Sequence, residues 1–197
     1  MINLSKMNIT DKDNYCHRIY QKDILETSEF LVVCDDLANI LRIFLPIACY
    51  TNFRDALFHF RRMVRAYEVN EIMCQAFAVK EHTKRAKTDA ALYLLRRFSD
   101  IALYMIQNHE RYKILSDIQI ELQDKANIMG ECISNYRLSG MMFSESKYLK
   151  ISYEKGIALI IEYLKFINLN LQCEFKNAVD EIRKSNRSRN NEEYPTD

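Results

Sequence analysis

The chain has 197 residues, with 28 basic and 27 acidic side chains, a net charge of +1 and 48% hydrophobic residues. That length predicts one domain with a sizeable core, and the near-neutral balance excludes a protein that coats a polyelectrolyte through bulk charge. Three Gly and two Pro exclude a turn-rich β fold, while abundant Leu, Ile, Ala, Lys, Arg and Glu predict an all-α protein.

The expected architecture is a bundle of five to six helices over residues 15–184. A flexible N-terminus (1–14) precedes it, and a disordered tail (185–197) rich in Ser, Asn and Arg follows it. Met1 to Asp13 is polar and mixed in charge, unlike a signal peptide. Charged residues such as Asp35, Asp36, Arg42, Glu162 and Lys165 break every apolar run short of a membrane span. Cys16, Cys34, Cys49, Cys74, Cys132 and Cys173 are scattered without a CxxC pair. They predict reduced thiols in a cytoplasmic protein, with no metal site and no cofactor.

A short helix is expected over Tyr15 to Ile24. Thr27 or Ser28 is a candidate cap for the next helix, whose wide apolar face would run from Phe30 to Phe44 until Pro46 ends or kinks it. Thr51-Asn52 reads as the following N-cap, with Asp55 in capping-box position. Phe53, Ala56, Leu57, Phe60, Met63, Val64 and Tyr67 then recur at helical spacing. This places Arg54 in the first turn and His59 in the second. A long helix is expected from Asn70 to Asn108. Along it Ile72, Ala76, Val79, Thr83, Ala86, Ala90 and Tyr93 form a narrow seam of mostly small residues that permits close helix approach. A further helix should run from Glu110 to Arg137, with a turn at Gly140. Another should open at Ser144 or Ser146 and pass through the strongly apolar Ile157–Leu171 stretch. It would continue, or break near Asn168–Asn170, and end near Lys184.

Charge is unevenly spread. Residues 1–50 carry five bases and seven acids, whereas residues 54–97 carry ten bases and five acids. In that basic third lies Arg54-Asp55-Ala56-Leu57-Phe58-His59. The pattern resembles the Arg-x(4–6)-His signature of HEPN-domain ribonucleases, which are small all-helical proteins, with Asp55 in the polar position that follows the Arg. The resemblance implies a HEPN-like fold and metal-independent endoribonuclease activity, of the sort found in prokaryotic defence or toxin–antitoxin systems. His59 would carry protons. Arg54 would hold phosphate oxygens with its fork of donors. Asp55 would orient one or the other. Arg61, Arg62, Arg65, Lys84 and Arg85 would bind the RNA backbone. One Arg–His pair supplies one proton carrier, so the resemblance also implies a homodimer with two motifs face to face.

A second cluster is Glu81-His82-Thr83-Lys84-Arg85 with Asp89. His82, Arg85 and Asp89 share a helix face. They read either as a polar network facing the motif helix or as a solvated face with i,i+4 charge pairs. The motif itself has a plain alternative, in which Arg54 pairs with an acid and His59 is a half-exposed helix histidine. The rival function is a non-catalytic helical interaction module, an adaptor subunit of a nucleoprotein assembly with a protein partner.

Overall fold

The computed structural model describes residues 9–141 and 153–193, with side chains described over 10–135 and 153–185. Among the described residues the chain is all-helical, without a strand. The helices are α1 (Ile9–Ile19), a π-helical segment (Tyr20–Leu25), α2 (Glu26–Ile40), α3 (Ile47–Arg65), α4 (Val69–Gln107), α5 (His109–Tyr112), α6 (Ser116–Met141), α7 (Tyr153–Asn170) and α8 (Gln172–Glu193). Where one domain over 15–184 was expected, internal packing groups the chain into two compact units, Met1–Tyr93 and Leu94–Asp197. Among the described residues no helix is long and apolar enough to cross a membrane.

Several boundaries depart from the sequence expectation, each for a local reason. Helix begins at Ile9, inside the segment expected to be loose, and no cap intervenes at Thr27 or Ser28. The backbone at Leu25 and Glu26 stays right-handed helical. Buried Thr27 hydrogen-bonds back to the carbonyl of Asp23 instead of capping. The extra residue accommodated by the π segment lets α1 and α2 run on as one path. Pro46 does not end α2. Arg42, at φ 54°, takes the left-handed position that glycine usually fills after a helix. The Ile43 N–H reaches the Ala38 carbonyl at 3.1 Å and the Arg42 N–H the Asn39 carbonyl at 3.0 Å. Pro46 instead caps α3, with ψ 139° turning the chain into the helix. α3 thus starts at Ile47, not at Thr51-Asn52. Arg54 lies about two turns into it and His59 about three, rather than in the first and second turns.

Further along, Lys113 at φ 54° separates α5 from α6 where one helix was expected. Gly140 lies within α6 and marks no turn there. Ser144 and Ser146 fall outside the described residues. Of the two courses open near Asn168–Asn170, continuation or a break, the chain takes the break, between α7 and α8. α8 continues to Glu193, through most of the stretch expected to be a disordered tail.

In the first unit, Cys16, Ile19 and Ile24 pack with Ala56 and Met63 of α3, Ala66 after it, and Ile72, Ala76 and Val79 of α4. This cluster sets α3 against α4 as a hairpin closed by the short turn at 66–68. The expected small-residue stripe forms part of this side of α4, since Ile72, Ala76, Val79, Thr83, Ala86 and Ala90 are all buried.

In the second unit, Ile157, Ile160, Tyr163, Phe166, Ile167 and Leu171 of α7 are buried. The strongly apolar Ile157–Leu171 stretch therefore largely serves this unit's own core, and Leu169 and Ile161 are the large apolar side chains it leaves exposed. Tyr163 packs edge-on against Phe98 and Phe175 at 6.0 and 6.2 Å. Its hydroxyl is buried without a hydrogen-bond partner, and burial pushes its pKa upward. Tyr163→Phe should therefore be neutral or stabilising by up to about 1 kcal/mol, because it removes an unpaired polar group. The urea midpoint checks this.

Glu181 of α8 ties the same unit together. It accepts hydrogen bonds from the Tyr104 and Tyr112 hydroxyls, both at 2.9 Å, and from the Arg111 guanidinium. These partners, Tyr112 first, hold its carboxyl below the ordinary glutamate value. Glu181→Ala should cost about 1 kcal/mol, since the two part-buried phenols can turn to each other and to water. A carboxylate depressed in the folded state adds stability above its unfolded pKa and loses it as pH falls through the folded value. The wild-type advantage over Glu181→Ala, read by thermal melting, should shrink in that acidic window.

Candidate site on the α3–α4 hairpin

Asn52 and His59 stand seven residues apart on α3, and Gln75, His82 and Asp89 stand at seven-residue intervals on α4. Seven residues is close to two helical turns, so each set forms one stripe. The antiparallel hairpin lays one stripe along the other. His59 Nδ1 lies 2.7 Å from Gln75 Oε1. His82 Nδ1 lies 3.4 Å from Asn52 Oδ1. The Asn52 amide donates to Asp89 Oδ2 at 3.3 Å. The two imidazoles stack, with centroids 5.2 Å apart and planes 16° from parallel. His59, His82, Asn52 and Asp89 are half-buried and Gln75 is buried.

The hydrogen-bond chemistry orients this chain of groups. Asp89 as a carboxylate can only accept, so Asn52 must present its NH₂ to Asp89 and its carbonyl oxygen to His82. That oxygen also only accepts, so His82 carries its proton on Nδ1. With Gln75 Oε1 facing it, His59 Nδ1 is the nitrogen that donates. Burial pushes the Asp89 carboxyl above its ordinary value, while the Asn52 hydrogen bond and the Arg85 charge oppose that rise. Among the described residues, neither histidine Nε2 has a hydrogen-bond partner.

α3 does not bring Arg54 to His59. Five residues of helix separate them by about 140° around the axis. Arg54 is 75% exposed and holds Asp55 in a fork, Nε at 3.3 Å and the terminal nitrogen at 3.1 Å from Oδ1. Asp55 is thus paired with Arg54 and makes no bond to His59. Arg54, Arg61 and Arg65 follow one another along the outer face of α3, all exposed. Arg62 sits nearer the seam, its guanidinium 5.8 Å from the Phe58 ring, and Phe58 in turn stands edge-on to His59 at 5.7 Å. Arg62 and Arg65 also line a shallow hollow at the hairpin turn with Tyr67 and Glu71. Arg85 and Lys84 are exposed; Arg85 flanks Asp89, whereas Lys84 faces about 180° away from the stripe of Gln75 and His82.

Asn52 and Gln75 were not among the expected site residues. Asn52 reads in sequence as a helix cap, and a lone Gln carries no signal. Their common seven-residue spacing with the two histidines is the mark that could have singled them out. Cys49 is fully buried, about 15 Å along α3 from His59, and burial, with the Asp89 charge next, lifts its thiol to about 11. Among the described residues no group of three or more His, Cys, Asp or Glu side chains is placed to hold a metal ion. Compared with known proteins, the chain matches no family model, no curated protein and no solved structure.

Proposed function

We propose that the protein is a HEPN-like, metal-independent endoribonuclease working from the α3–α4 hairpin, with His59 as a catalytic residue. The observation that carries this reading is the setting of His59. Its ring is tethered through Nδ1 to buried Gln75, which leaves Nε2 for proton transfer beside an arginine-rich helix. Histidine moves protons near neutral pH. Arg54, Arg61 and Arg65 on the outer face, with Arg62 nearer the seam, supply the charge that holds an RNA backbone. Exposed Phe58 and Tyr67 offer rings on which unpaired bases stack. Single-stranded RNA is accordingly the substrate class.

The test is incubation of the purified chain with labelled single-stranded RNA in the presence of a chelator. Cleavage inside the strand at a rate unchanged by chelator supports the reading. Intact RNA at micromolar protein argues against it.

A second reading, a non-catalytic interaction module, is favoured by a different observation. Phe44 and Ile47, on either side of Pro46 at the start of α3, are 91 and 82% exposed, an apolar pair of the kind that marks an interaction surface. A homodimer or another protein partner would cover them. Light scattering of the purified chain distinguishes a self-associating surface from one that awaits a different protein.

A further inference from the structure

RNA cleavage without a metal needs two proton transfers, one from the attacking 2′-hydroxyl and one to the leaving 5′-oxygen. An Arg–His pair supplies one carrier, which is the argument for a site shared between two copies. The hairpin removes that need. We infer that His82 is the second catalytic residue, that it works with His59 within one chain, and that Asn52 and Asp89 are its positioning residues. The inference rests on the ribonuclease reading and names the machinery of that same site.

The geometry supports it in three ways. The rings stack at 5.2 Å and 16°, a spacing at which one phosphodiester can meet both. Each Nδ1 is committed to an amide oxygen, so the reactive atom on both rings is Nε2. Behind His82, the Asn52 amide leads to the Asp89 carboxylate at 3.3 Å. That chain fixes the orientation and tautomer of the His82 ring. Of the two rings, one serves as the base and the other as the acid.

The step balances. The working form carries one additional proton, on the Nε2 of one ring. The Nε2 of the neutral ring takes the 2′-hydroxyl proton as the 2′-oxygen forms its bond to phosphorus. The bond from phosphorus to the 5′-oxygen breaks, and the protonated ring gives its Nε2 proton to that oxygen. The products are a 2′,3′-cyclic phosphate and a 5′-hydroxyl, and the two rings hold as many protons as before.

Two measurements on the full chain test the inference. In ¹⁵N-histidine spectra of the neutral rings, His82 should be the Nδ1–H tautomer, which is the minor form of free histidine. Asn52→Ala should return it to the Nε2–H form and lower kcat at unchanged KM; a purely structural Asn52 would leave the tautomer as it was. In the cleavage assay His82→Ala should lose roughly 10²–10⁴-fold in rate, with melting used to confirm that the variant is folded and His82→Gln as the second variant if it is not. Wild-type protein that leaves RNA intact overturns the ribonuclease reading and this inference together. Wild-type cleavage matched by a folded His82→Ala or His82→Gln variant overturns the inference alone, as does a His82 Nε2–H tautomer in the wild type.

Discussion

His59→Ala is expected to lower RNA cleavage by roughly 10²–10⁴-fold, the contribution of one positioned acid or base. The fold should survive the change. Alanine is the best helix former, and His59 is half-buried on α3 rather than part of the apolar cluster behind it. The cost comes from Gln75, only 7% exposed, whose amide oxygen loses its partner. That amounts to about 1–2 kcal/mol, a fall in Tm of only a few degrees for a chain of this size. Activity and stability are thus predicted to separate widely, and paired cleavage and melting measurements on the same preparation read both. Loss of activity in step with loss of the folded state would assign His59 a structural role.

The second large effect concerns salt. If Arg54, Arg61, Arg62 and Arg65 each meet one phosphate, the logarithm of affinity for single-stranded RNA should fall with the logarithm of salt at a slope of roughly −2.8. Raising salt from about 50 to about 200 mM then weakens binding roughly 50-fold. Arg61→Glu, Arg62→Glu and Arg65→Glu together leave one contact, so the same change should cost only about threefold, from an affinity that is already much lower. The arginines are exposed, which makes the triple variant a mild change for the fold. Fluorescence anisotropy over a salt series measures both slopes. A slope near zero in the wild type would favour the interaction-module reading.

How far the sequence announces this structure depends on where periodicity decides. The long helix is legible almost to its ends, Asn70–Asn108 expected against Val69–Gln107, because one buried stripe runs through it without Gly or Pro. The ends of α2 and α5 are not legible, since Arg42 and Lys113 take left-handed backbone that sequence signals reserve for Gly or Asn. Pro46 misleads for a related reason. Proline breaks a helix it falls inside but suits the start of one, and only the turn at Arg42 shows which applies. That error moved the start of α3 and with it the placing of Arg54.

The site is legible in part. His59 stands out through the motif, and the cluster of His82, Arg85 and Asp89 reads as a network facing the motif helix or as a solvated face. Its link through Asn52 depends on the register between α3 and α4, which is set by the packing of Ala56, Met63, Ala76 and Val79 and by a three-residue turn, and no single helix carries that information. Arg54 illustrates the converse: adjacency in sequence to Asp55 decides its partner, and helical geometry carries it away from His59.

The most direct measurement of the central claim is the chemistry of the cut ends. Labelled single-stranded RNA treated with the purified chain in chelator should yield fragments ending in 2′,3′-cyclic phosphate and beginning with 5′-hydroxyl, because two histidines can only move protons while the 2′-oxygen attacks. Fragments carrying 5′-phosphate that appear only when a divalent metal is restored, or RNA recovered at full length, would contradict the account.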